Sequence, residues 1–435
     1  MTITIAIDSF KGSLSSAAAG KAASRGIRRV YPDADIRVRP LADGGEGTLD
    51  ALCTGLGGTK RTVSVSDPLG RRIDCEYAIC PNNVRPNDIR PSDVCPNDVC
   101  PSAVCPSAVC PSDVCPSDVC LSDVCQNDIR PCDSSFGDRL AVIEMSAAAG
   151  LTLLSPDERD PLVTTTYGVG ELIADALGLG IRDFIVGIGG SATNDGGAGM
   201  LSALGFGLYD RDGNAIPHGA RGLEVLAYID RTTALPELRH CRFRVACDVM
   251  NPLCGENGCS AVFSPQKGAK PDDIPKMDGW LANYAKLAKN AVPDCDPDYP
   301  GSGAAGGLGF ALHSFLGAEL VSGVELVLDV TRLEADIAVS DLLVTGEGRL
   351  DSQTAMGKAP AGAAHLAAKH NVPCIALAGS IGDGASACHD AGIDAYFPIL
   401  RRVCTLDEAM KPEIAAENLA DTVEEIFRLI RAVRQ

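Results

Sequence analysis

The chain has 435 residues, enough for about two to three domains with hydrophobic cores of their own, so a single small module is excluded. Apolar residues make up 46% and charged residues 22%, and no run reaches the roughly 18 apolar residues of a spanning helix, which argues against an integral membrane protein. With 57 acidic against 38 basic residues the formal charge is −19, which disfavours nucleic acid and anionic lipid as partners and leaves any phosphorylated ligand to be held by local groups.

The first element is a strand, Thr2 to Ile7. No basic segment precedes it and Asp8 cuts the apolar stretch short, so no signal peptide is apparent and a reduced, cytoplasmic chain is expected. The strand ends at Asp8-Ser9-Phe10-Lys11-Gly12-Ser13, and an Ala-rich helix is expected from Leu14 to Val30 with Ser13 as its N-cap. The same order of strand, polar turn and helix recurs where Ile36 to Val38 leads through Asp43-Gly44-Gly45-Glu46-Gly47 to a helix from Thr48.

Arg72 to Ile79 and Arg139 to Met145 alternate like strands, and a tandem repeat separates them. From Pro81 to Arg130 it runs as ten five-residue units of the type Pro-Ser-Asp-Val-Cys, and nine of the 19 cysteines fall between Cys80 and Cys132 inclusive. A period of five suits neither a helix nor a strand, and the recurring Pro removes backbone donors, so residues 81–130 read as a poorly ordered insertion in a hairpin loop. Two other readings stand beside that one. The first is a soft-metal site, although the run has no His and no Cys-x-x-Cys pair. The second is a square β-solenoid of the pentapeptide-repeat kind, with Val or Ile pointing inward.

Three further strand-to-turn units follow. Phe184 to Ile188 enters Gly189-Gly190-Ser191-Ala192-Thr193-Asn194-Asp195-Gly196-Gly197 and a helix through Leu204. Asp341 to Thr345 enters Gly346-Glu347-Gly348-Arg349-Leu350-Asp351 and a helix from about Gln353; Cys374 to Ala378 enters Gly379-Ser380. Short apolar strands alternating with helices predict an α/β fold with mainly parallel sheet. The expected layout is a Rossmann-like domain from both termini, residues 1–66 and 300–435, with an inserted α/β domain at 67–299 and a cleft between them.

Ligands in such folds gather beyond the C-terminal ends of strands, where each Gly and acid cluster lies. Gly allows close backbone approach, and amides opening a helix can hold an anion. Asp8, Asp43, Glu46, Asp195, Asp248, Glu347 and Asp351 are the acids in those positions. Any one of them alone is more often a cap or turn residue, but seven at strand ends are harder to dismiss, and carboxylates are also the oxygen ligands Mg²⁺ takes and the acceptors for a hydroxyl proton. Lys11, Lys267, Arg349 and Lys358 are candidate partners for phosphate, and Asn194 and Asn251 candidate polar contacts. No Walker A motif occurs. The literal Gly-x-Gly-x-x-Gly at Gly301 to Gly306 lacks the strand a dinucleotide fingerprint needs before it, so it reads as a turn or helix start. No Gly-x-Ser-x-Gly elbow is present and the six His lie outside these clusters, which argues against a triad hydrolase.

At these residues the sequence resembles the type I glycerate kinases. The stretches that carry the resemblance are Ala6 to Ser13, Pro40 to Thr48, Thr166 to Glu171, Gly189 to Gly197, Ala246 to Leu253, Pro265 to Ala269, and Thr345 to Thr354 with Gly357-Lys358. They span the chain apart from the repeat, which departs from the family pattern. The resemblance implies a two-domain α/β kinase that transfers the γ-phosphoryl group of Mg-ATP to D-glycerate, most often at its 2-hydroxyl. It suggests Asp195 or Asp248 as base or substrate-orienting acid, with Asp8 and Lys11 also in the catalytic set. It further suggests Glu347 and Asp351 as Mg²⁺ contacts, and Asp43, Glu46, Asn194, Asn251 and Lys358 toward the substrate. Gly189, Gly190, Ser191 and Gly346 are expected at the nucleotide, and Lys11 and Lys358 near phosphates or the glycerate carboxylate. An NAD-linked oxidoreductase using the glycines at 301–306 and a non-catalytic sugar-acid sensor are the alternatives. The oligomeric state is left open.

Overall fold

A computed structural model describes residues 1–45, 47–82 and 138–434. The described residues cluster into one compact unit, while the repeat readings for 81–130 and the substrate role for Glu46 fall, apart from Pro81 and Asn82, outside them.

The strands are β1 (Thr2–Ile7), β2 (Asp35–Val38), β3 (Thr59–Ser66), β4 (Arg72–Pro81), β5 (Arg139–Glu144), β6 (Asp183–Gly187) and β7 (Gly207–Tyr209). They continue as β8 (Tyr228–Asp230), β9 (Arg242–Ala246), β10 (Glu319–Val321), β11 (Leu342–Leu350), β12 (Cys374–Ile381) and β13 (Ala395–Pro398). Two main sheets result. One is fully parallel in the order β13-β12-β11-β1-β2; the other runs β10-β9-β6-β5-β4-β3, parallel from β10 to β5 and antiparallel where β4 meets β5 and β3. The expected α/β class with parallel sheet is therefore observed.

Sheet membership differs from the expected boundaries at 66/67 and 299/300. β3 and β10 pair in the second sheet, so the chain changes sheets between β2 and β3 and again between β10 and β11. The repeat is flanked as expected by antiparallel partners: Pro81 pairs with Arg139, and the Asn82 amide donates to the Asp138 carbonyl at 2.9 Å.

In the parallel sheet, alternation along the strands sorts side chains onto two faces. Ile3, Ile5, Ile7, Leu342, Val344, Ile375 and Leu377 pack against the helices Ser16–Arg28 and Pro412–Arg434 through Ile27, Leu419, Val423 and Phe427. On the other face Ala6, Leu343, Cys374, Ala376 and Ala378 meet the helix Ala359–Lys369, whose Ala363, Ala364 and Ala367 are small enough to bring helix and sheet close together. Local starts and stops differ in detail from the sequence reading. Ser15, not Ser13, caps the first helix, its hydroxyl accepting from the Ala18 amide at 3.2 Å. β11 does not stop at Thr345, because Glu347, Arg349 and Leu350 continue the ladder with Ala378, Ser380 and Ile381.

Gly301 to Gly306 follows turns rather than a strand, and its glycines face backbone: a Cβ on Gly303 would sit 2.2 Å from the Pro252 carbonyl oxygen and one on Gly306 2.0 Å from that of Thr193. These glycines serve chain crossing, which removes the basis for a dinucleotide fingerprint.

Candidate active site

The parallel sheet has its switch point between β1 and β11: from β1 the chain passes to β2 on one side and later returns to β11 on the other. A crevice beyond the strand ends forms at such a point. Asp8 is the first residue after β1, anchored by its amide to the Gly346 carbonyl at 2.8 Å, and Glu347 lies across from it on β11. Both side chains are buried.

The Asp8 carboxylate accepts the Ser9 amide at 2.6 Å. Burial pushes its pKa up to about 7, against the Ser9 hydrogen bond; Asp43 and Glu347 add to the rise and Lys11 opposes it. On Glu347, Oε1 accepts the Thr354 hydroxyl at 2.6 Å and Oε2 lies 3.9 Å from Lys358 Nζ. Its pKa is raised by burial, with Thr354 and Lys358 working against the shift. Lys11 Nζ stands 3.3 Å from Asp43 Oδ2. Partial burial disfavours its charge, but Asp43, Asp8 and Glu347 outweigh that and hold its pKa above the usual lysine value.

These groups line one end of a cavity of about 680 Å³, with Asp351, Arg349 and Lys358 on the same wall. A second cavity of about 410 Å³ shares Lys11 and Asp43 with the first and extends over the ends of β6 and β9 to Gly189, Gly190, Ser191, Asp248 and Lys267. Asp248 accepts the Gly323 amide at 2.9 Å; partial desolvation raises its pKa, with Asp43 adding to the rise and the Gly323 hydrogen bond opposing it. Lys267 is buried, donating to Ser191 Oγ and the Thr193 carbonyl, both at 2.7 Å. Burial pulls its pKa down to about 8, with Cys259 and Asp195 resisting. The loops after β2 and β10 touch here. Gly44 has φ +89°, and a Cβ on it would stand 2.7 Å from Gly323 Cα, so only glycine fits.

Five expected site residues are placed differently. Asp195 is fully buried and lines neither cavity; its carboxylate accepts the amides of Thr166, Gly197 and Gly199 and the Thr166 hydroxyl at 2.8–3.2 Å, with the Thr165 hydroxyl at 3.5 Å. That saturated carboxylate ties the turn after β6 to the start of the helix Tyr167–Gly178, so the structure gives it no exposed oxygen with which to act as a base. Asn194 is buried too, donating to Ser260 Oγ at 2.9 Å, and Asn251 donates to the Asn257 carbonyl at 2.8 Å, a turn contact. Gly346 lies within β11, where a Cβ would come 2.2 Å from the Leu377 carbonyl oxygen; it is a packing glycine. Asp351 does line the first cavity, but Oδ1 caps the helix Ser352–Ala355 through the Gln353 amide at 3.0 Å and Oδ2 lies 3.3 Å from Arg349 Nε.

Among the described residues no three His, Cys, Asp or Glu side chains form a metal cluster. Mg²⁺ in phosphoryl-transfer sites usually takes only one or two carboxylates beside phosphate oxygens and water, and Glu347 Oε2 is a hard oxygen at the cavity wall that fits this role. Sequence reasoning missed the apolar lining of the first cavity, Ile399, Leu400, Leu406, Ala409 and Met410, and Asn418, which lines the same cavity. No motif marks them; the one available signal is the run of Leu400, Val403 and Leu406 in a segment the structure leaves exposed.

The glycerate kinase family model matches residues 3–86 and 117–431, interrupted inside the repeat. The chain is 41% identical over 428 residues to the glycerate 2-kinase of Escherichia coli K12, covering 97% of this chain and 98% of that protein. It is 40% identical to the glycerate kinase of Bacillus subtilis 168, covering 100% and 99% respectively. A crystal structure assigned as glycerate kinase 2 from Salmonella typhimurium LT2 superposes with a TM-score of 0.81 at 41% identity, covering 100% of this chain and 99% of that one. The chain therefore belongs to the glycerate kinase family of enzymes.

Proposed function

We propose that this enzyme uses ATP to phosphorylate D-glycerate, with 2-phosphoglycerate as product. The observation that carries the reading is the convergence of Asp8, Glu347, Lys11 and Lys358 on one cavity at the switch point, next to a second cavity that shares Lys11 and Asp43. Phosphoryl transfer depends mainly on positioning and charge stabilisation, and this is a set of residues suited to both.

In this reading Asp8 accepts the proton of the attacking glycerate hydroxyl. The glycerate oxygen forms a bond to the γ-phosphorus, the bond from that phosphorus to the β,γ-bridging oxygen breaks, and ADP leaves with its electron pair. Lys11 and Lys358 offset the phosphate charge. Glu347 would hold Mg²⁺, which when bound neutralises charge on the phosphate oxygens. The glycine turn at Gly189, Gly190 and Ser191 lies in the second cavity. In this reading that cavity receives the glycerate, with Asp248 orienting a hydroxyl, and the glycine turn expected at the nucleotide is assigned to the glycerate instead. The choice of the 2-hydroxyl is supported by the relative named glycerate 2-kinase.

We also read the two sheets as two domains, changing over between β2 and β3 and between β10 and β11, in a cytoplasmic protein. Incubating the protein with Mg-ATP and D-glycerate and resolving the products by phosphorus NMR tests the function. A 2-phosphoglycerate signal with matching ADP is expected. A 3-phosphoglycerate signal would overturn the regiochemistry, and ligand binding without ADP release would replace the kinase by the sensor.

A further inference from the structure

The first cavity has a lining of two kinds: Asp8, Lys11, Glu347 and Lys358, and the apolar Ile399, Leu400, Leu406 and Met410. Ile399 and Leu400 directly follow the edge strand β13, which β12 and β11 separate from β1. Leu400 and Leu406 leave 42% and 75% of their surface exposed while lining one cavity, and adjacent exposed apolar side chains in a cavity mark a ligand surface. Met410 also reaches the turn after β1, where the position of a Cβ on Gly12 lies 3.0 Å from its ε-methyl group.

Such a wall calls for an apolar occupant, and the substrates of the proposed reaction offer only one. Every carbon of D-glycerate carries oxygen, and the triphosphate is charged throughout. The purine base is the single flat, largely apolar group among them. The cavity's volume of about 680 Å³ falls in the range of sites that enclose ligands of nucleotide size. Asn418, on the helix Pro412–Arg434, lines the same cavity. A carboxamide can both donate and accept, as reading a base edge requires.

We propose that the apolar lining formed by Leu400, Leu406 and Met410, together with Asn418, is the seat of the nucleotide's purine base, and that the triphosphate runs from it toward Lys11 and Lys358. This assignment rests on ATP being the phosphoryl donor. It also separates the two cavities by substrate, since Leu400, Leu406, Met410 and Asn418 line the first cavity and not the second, and Gly189, Gly190 and Ser191 line the second and not the first.

The test compares the full chain with a Leu400→Ser/Leu406→Ser variant. Both positions are exposed enough to change without emptying the core. Val403→Ser is the control, because Val403 is fully exposed on the same segment and does not border the cavity. Calorimetric titrations with ATP and with inorganic tripolyphosphate are read beside the KM for D-glycerate. The double variant is expected to weaken ATP binding about tenfold while tripolyphosphate binding and the glycerate KM stay at wild-type values. Val403→Ser should change none of the three, and Asn418→Ala should alter the ratio of ATP to GTP affinity. An unchanged ATP affinity in the double variant, or an equal loss for ATP and tripolyphosphate, overturns the assignment. The two readings fail separately. A wild-type protein that binds ATP in this leucine-dependent way but makes no phosphoglycerate refutes the kinase and keeps the subsite; one that makes phosphoglycerate with leucine-independent ATP binding does the reverse.

Discussion

The turns after β1 and β6 look alike as sequence: each leaves a buried parallel strand and carries an aspartate and glycines. In the folded chain they have different jobs. Asp8 has one amide partner and a carboxylate that borders a cavity, whereas Asp195 spends its carboxylate on the amides and hydroxyls around it and borders none. Burial raises both pKa values, but for Asp8 the remaining lone pairs are available to a ligand, and for Asp195 they hold the backbone in place. A buried acid at a strand end is thus a functional candidate only when its hydrogen-bond capacity is left unspent.

Replacing each acid separates the two roles. Asp8→Asn should lower kcat by about 10²–10⁴-fold, the usual worth of a positioned base, while the protein stays folded. Asp195→Ala should strand several buried donors and cost more than about 3 kcal/mol of stability, seen as a large drop in the unfolding midpoint. Should Asp195→Ala keep its stability and lose only turnover, the contrast drawn between the two turns is wrong.

The pH dependence sharpens the comparison. With a folded pKa near 7 against an ordinary value of 3.8, Asp8 supplies stability that is fully present below pH 3.8 and lost as pH rises through 7. Asp8→Asn should therefore gain stability over wild type progressively from about pH 4 and level off above 7, as read by denaturant titration at several pH values. In the wild type, kcat/KM should fall below about pH 7 as Asp8 takes up its proton, and that limb should be missing from the residual activity of Asp8→Asn.

The smallest effect is expected at the repeat. Joining Asn82 to Asp138 through a short turn preserves the β4–β5 pairing, and closing a shorter loop changes the entropy only slightly. Turnover and unfolding midpoint should stay close to wild type; a folded but inactive deletion would give the repeat a role in the reaction.

Much of the site was readable before folding. Asp8 with Lys11, Asp43, and Glu347 with Lys358 come from three stretches far apart in sequence and converge on one cavity, since strand ends in a parallel sheet gather on one edge. Asn194, Asp195, Asn251 and Gly346 were not separable from them, because each sits in a turn or strand-end motif of the same family resemblance and differs only in what packs around it. The apolar wall at Leu400, Leu406 and Met410 had no motif at all, since scattered aliphatic residues look the same whether they fill a core or border a cavity.

The sequence by itself determined the α/β class and the strand-end positions of the acids, because periodicity and turn chemistry are local properties of the chain, and its motif stretches carried the family resemblance. The tertiary structure alone decided which acids border a cavity. Thr166 reaches Asp195 and Thr354 reaches Glu347 through packing, and the hydrogen-bond partners and solvent left to a carboxylate are set by whichever elements fold against it.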